Sequence, residues 1–65
     1  MTTKHIDADG VAYWAERIGD LCGMPTYAVM AQAPDGPPVE AYTDYFVVKE
    51  HADKIAQEIA AGINV

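Results

Sequence analysis

The stretch V-A-Y-W-A-E-R-I-G-D-L-C, residues 11–22, sets how many helices this chain has. Val11, Trp14, Ala15, Ile18, Leu21 and Cys22 recur at the i, i+3, i+4, i+7 spacing of an amphipathic helix. Tyr13, Glu16, Arg17 and Asp20 fall on the opposite side. Asp7 or Asp9 caps its start, because a carboxylate there accepts from free amide N–H groups at the positive end of the helix dipole. Gly23 suits the position just past its end, and Pro25 forbids continuation. The spacing predicts a helix with Trp14 as its core anchor and Cys22 as a small core residue. Residues 1–6 read as a loose lead.

Downstream, T-Y-A-V-M-A-Q-A (26–33) has the β-branched and aromatic content of a strand. P-D-G-P-P (34–38) is turn chemistry: proline presets φ, aspartate bonds locally, and glycine accepts positive φ. A second strand over 39–48 completes an antiparallel hairpin. Within it, V-E-A-Y-T-D-Y-F (39–46) alternates with period two. Val39, Ala41, Thr43 and Tyr45 form an uncharged phase suited to the core. Glu40, Tyr42, Asp44 and Phe46 form the other, an open face of aromatics flanked by carboxylates, unless a bulge at Thr43 and Asp44 flips the register and buries Tyr42 or Phe46.

A final helix is predicted over 50–61, with Ala52, Ile55, Ala56 and Ile59 on one stripe and Glu50–Lys54 as an i,i+4 pair. Gly62 ends it, and Ile63 and Val65 are placed to fold back onto the sheet. The expected fold is therefore α+β: a single domain over 1–65 of order α-β-β-α, both helices on one face of the hairpin.

Sixty-five residues bury only about 60% of their unfolded surface, which leaves no room for a core and a deep substrate pocket together. The net charge of −6 and pI near 4.4 argue against direct nucleic-acid binding and against anionic membranes. That charge suits solubility, or docking on a basic protein surface. One cysteine allows no internal disulfide, no apolar run approaches a membrane span, and the first residues lack the apolar core of a signal peptide. A cytoplasmic location is expected.

D-A-D-G (7–10) opens like a calcium loop, but Ile18 stands where the bidentate glutamate is needed. His5, Cys22 and His51 are too scattered for a zinc set. No nucleophile–base set and no phosphate-cradling glycine loop is present. The expectation is no metal, no cofactor and no enzyme.

In size, acidity and layout the chain resembles the phage-encoded anti-CRISPR proteins directed at type I systems. The likeness spans the whole chain without a diagnostic motif. It implies a stoichiometric inhibitor that docks on a subunit of a CRISPR-Cas surveillance (Cascade) complex in the host cytoplasm, carboxylates standing in for DNA phosphates. Asp7, Asp9, Glu16, Asp20, Asp35, Glu40 and Asp44 are the candidate mimics, with Tyr42 and Phe46 as aromatic anchors. A monomer or weak dimer is expected, since Glu40 and Asp44 would repel their copies across a two-fold axis. The rival reading is a small interaction module or dimeric regulator using the open sheet face. A third, a small-molecule sensor fragment, has no pocket-forming residues behind it.

Overall fold

The computed structural model describes residues 3–63. Its elements are β1 (His5–Ile6), β2 (Ala12–Leu21), β3 (Met24–Gln32), β4 (Val39–Glu40) and α1 (Lys49–Ala61). The strands form one antiparallel sheet in the order β1-β2-β3-β4, and α1 packs across one face, so the class is α+β. The principal finding against expectation lies in residues 11–22, which form a ten-residue strand and not a helix. The order is β-β-β-β-α, with one helix where two were expected.

Local chemistry explains the strand. Asp7 caps a turn instead of a helix: its Oδ1 accepts from the Asp9 and Val11 amides, both at 2.9 Å, and its Oδ2 accepts from the Tyr13 hydroxyl at 3.1 Å. Gly10 takes the positive φ of 85° that this turn requires. The turn sends β2 back antiparallel to β1, so His5 and Ile6 are a strand and not a loose lead. The Val11 amide holds the Asp7 carboxyl below its ordinary range against some opposing burial. This contribution is complete above the usual carboxylate pKa and is lost as pH falls through the lowered one.

At the other end, Cys22 and Gly23 take φ values of 52° and 81°, with Leu21 opposite Met24. Two successive positive φ values are the two-residue hairpin turn whose twist matches that of its strands. Gly23 thus serves a hairpin, and Cys22 is exposed at its tip and not in the core.

The core lies between the sheet and α1. Ala15 and Val29 from the central strands meet Ala52 and Ala56 of the helix, with Tyr13, Tyr27, Ala41, Tyr42, Phe46, Ile55 and Ile59 packed around them. Three alanines at the contact let the helix lie close to the sheet. The predicted helical stripe is the buried one. Gly62, at φ 79°, closes α1 as expected, its amide donating to the Ile59 carbonyl at 3.0 Å and that of Ile63 to Glu58 at 3.0 Å. The Ile63 side chain is exposed and does not return to the sheet; Val65 lies outside the described residues.

The hairpin around residues 34–38 pairs as expected, Met30 with Glu40 and Ala31 with Val39, but β4 stops after Glu40. The chain bends at Thr43 and rejoins β3 at one bridge, where Tyr27 and Phe46 exchange both backbone hydrogen bonds.

Candidate functional site

Cross-strand partners share a face, so the register assigns each side chain. His5, Tyr13, Ala15, Val29 and Ala31 point toward the helix, and His5 Nε2 meets Asp53 of α1 at 3.0 Å. The opposite face carries Ile6, Ala12, Trp14, Glu16, Ala28, Met30 and Glu40, and among the described residues no second layer covers it. Leu21 and Met24 join this face beyond a bulge between Arg17 and Gly19.

This uncovered face has a defined floor and rim. Trp14 is only 6% exposed and Ala28 is fully buried. The Lys4 ammonium lies 4.7 Å from the centre of the Trp14 ring, a cation–π contact, and the indole N–H donates to Glu16 Oε1 at 3.1 Å. Phe46 packs into the helix-side core, whereas Tyr45 reaches the uncovered side, where it meets Glu40. The Tyr45 hydroxyl donates to Glu40 Oε1 at 2.8 Å, which raises the phenol above its ordinary pKa. Ile6, Leu21, Met24 and Tyr45 are each about half exposed or more. The face is apolar in its middle, with carboxylates at Glu16 and Glu40. Those two strand positions sit two strands apart, roughly 10 Å in the direction across the sheet.

The expected site residues divide accordingly. Glu40 and Glu16 lie on the uncovered face. Asp20 is exposed on the distal part of β2, ion-paired with Arg17. Asp35 is exposed in the turn, where the Gly36 amide donates to the Ala33 carbonyl at 3.2 Å, and Asp44 is exposed in the irregular segment. Tyr42 and Phe46 are corrections: they stack at 6.0 Å between ring centres and pack on the helix-side core, so the open face does not carry them. The register change near Thr43 put Tyr45 in their place. Trp14 was expected in the core through helix packing; it is buried, but on the face away from the helix.

Tyr45, Leu21 and Met24 were missed as face residues. The available signals were Cys22-Gly23 between two apolar residues, and the bulge alternative at Thr43 and Asp44.

His5, Cys22 and His51 occupy three separate places: the helix-side edge, the hairpin tip, and a ring contact with Phe46 at 5.7 Å. Among the described residues no group of three or more His, Cys, Asp or Glu side chains is placed to hold a metal ion. Two open surface grooves are present, one beside Lys49, Asp53 and Lys54 and one along residues 40–43. No described helix is long and apolar enough to cross a membrane. Comparison with known proteins returns no match: no family model, no curated protein and no solved structure is similar to this chain.

Proposed function

We propose that this protein is a non-enzymatic, acidic binding module that docks its uncovered sheet face on a basic protein surface. One observation carries the reading: half-exposed Ile6, Leu21, Met24 and Tyr45 share a face with Glu16 and Glu40, opposite the helix. An exposed apolar patch of this kind marks an interaction site, and flanking charge selects the partner's sign. The net charge of −6 would steer the protein toward a lysine- and arginine-lined groove. The partner that the anti-CRISPR resemblance implies is such a groove: the DNA-binding surface of a type I surveillance complex in the cytoplasm, with Glu16, Asp35 and Glu40 in place of phosphates.

Competition tests this. With the surveillance complex immobilised, excess target DNA should exclude the protein; simultaneous binding without mutual loss of affinity overturns phosphate mimicry. Glu16→Gln with Glu40→Gln should slow association and flatten its salt dependence, since charges steer over a Debye length of about 8 Å. Tyr45→Ala should mainly speed dissociation, by about tenfold if it costs about 1.4 kcal/mol.

A second reading rests on the same apolar residues: two copies meeting face to face as a dimeric regulator. Sedimentation separates the two, because a tight dimer at micromolar concentration would occupy the face that docking requires.

A further inference from the structure

The two long sides of the sheet are finished differently. Along β3 the outer side is followed by β4, then by the Ala41 amide donating to the Val29 carbonyl at 2.8 Å, then by the Tyr27–Phe46 bridge. Along β2 the outer side meets β1 only at Ala12 and Tyr13. From Trp14 to Leu21 no strand runs beside it among the described residues, and residues 16–21 are all exposed. Unpaired N–H and C=O groups in a row are a template for another strand. Folded proteins commonly protect such an edge with lysine or proline, and residues 14–21 contain neither. The protective devices present are the bulge between Arg17 and Gly19 and the charged side chains of Glu16, Arg17 and Asp20.

We propose that the outer edge of β2, residues 14–21, accepts an extended, basic segment of a partner protein as a fifth strand. This deepens the protein-binding reading and rests on it. Backbone pairing would supply affinity and the alternate side chains selectivity. Charge favours a basic occupant: the edge holds Glu16 and Asp20, and its one cation, Arg17, is already paired with Asp20.

Pairing with a second copy is disfavoured by symmetry. A two-fold axis normal to the sheet needs a residue that faces its own copy. Centring on Glu16, Arg17 or Asp20 sets like charges face to face, and centring on Ile18 sets bulge against bulge. Centring on Gly19 leaves only a short ladder that the bulge interrupts.

Amide hydrogen exchange, resolved by residue on the full chain, tests the proposal with a short peptide of alternating lysine and valine. Saturating peptide should slow alternate amides within 14–21 by about tenfold or more and leave those of β4 unchanged. An N-methylated peptide of the same sequence keeps the charge but lacks ladder donors, and it should give no protection. Ile18→Pro should abolish the protection; Ile18→Lys serves the same end if the proline variant does not fold. Equal protection by the N-methylated peptide, or none by the parent peptide, overturns the proposal. So does protection that appears without peptide and rises with protein concentration, because the occupant is then a second copy. Tyr45→Ser disables the uncovered face alone: loss of groove docking with peptide protection retained would confine a failure to one reading or the other.

Discussion

The root and the tip of the β2–β3 hairpin are one continuous ribbon in two different environments. At the root, Trp14, Ala15, Ala28 and Val29 are all buried, the last with no exposed surface. At the tip, Ile18, Leu21 and Met24 are 43%, 67% and 51% exposed, and among the described residues β3 is the one strand beside residues 16–21, which are all exposed. The molecule is 37 Å long and about two-thirds as wide, and a ten-residue strand alone spans roughly 33 Å. The hairpin is therefore as long as the protein, while the helix stabilises only part of it. Packing holds the root, whereas turn geometry and cross-strand hydrogen bonds hold the tip.

Replacing Trp14 by alanine should produce the largest effect. It removes the one large side chain that is buried on the helix-free face among the described residues, together with the Lys4 contact and the Glu16 hydrogen bond. Chemical denaturation should register a loss of about 3–5 kcal/mol, a large share of the stability of so small a chain. A loss below about 1 kcal/mol would mean that the root does not depend on this face, and the contrast between root and tip would fail.

Turn geometry should matter less, and with two signs. Gly23 sits at φ 81° with nothing within 4 Å of an added Cβ, so Gly23→Ala meets backbone strain alone and should cost about 1 kcal/mol. Cys22 is a non-glycine residue at φ 52°, where asparagine is better tolerated; Cys22→Asn should stabilise by about 0.5 kcal/mol. Thermal melts of the two variants moving in opposite directions would sharpen the view that the turn governs the tip. A common direction would place the control elsewhere.

The same contrast explains what the sequence made legible. The helix over residues 50–61 is amphipathic with one side packed, so its period shows. The strand at 26–33 and the turn after it carry their own local chemistry. Residues 11–22 mislead because the root of β2 carries apolar side chains on both faces: Tyr13 and Ala15 point to the helix, Ala12 and Trp14 away from it. A strand with apolar residues on both faces loses its alternation, and what remains fits a helical spacing equally well. The bulge at Ile18 shifts the phase again in the exposed half. Local signs of a strand were present in the interior Gly19, unfavourable in a helix by about 1 kcal/mol, and in Cys22-Gly23. The acidic, partly aromatic open face was readable in kind. Its members were not, because a bend near Thr43 turned Tyr42 and Phe46 to the helix side and brought Tyr45 to Glu40.

The smallest stability effect belongs to the apolar side chains of the tip. Leu21 and Met24 face each other across the turn, both more than half exposed, and neither joins the core. Leu21→Ser and Met24→Ser should each shift stability by no more than about 0.5 kcal/mol, since little apolar surface is withdrawn from water there. Side chains that contribute so little to the fold should contribute to contacts outside it. The double variant should therefore melt close to the parent yet dissociate faster from an immobilised basic partner, with its association rate and salt dependence unchanged because no charge was altered. If the double variant loses stability well beyond that range, Leu21 and Met24 hold the hairpin together and the tip is structural. If stability and dissociation both stay at parent values, the docking surface ends at the root, around Trp14, Glu40 and Tyr45.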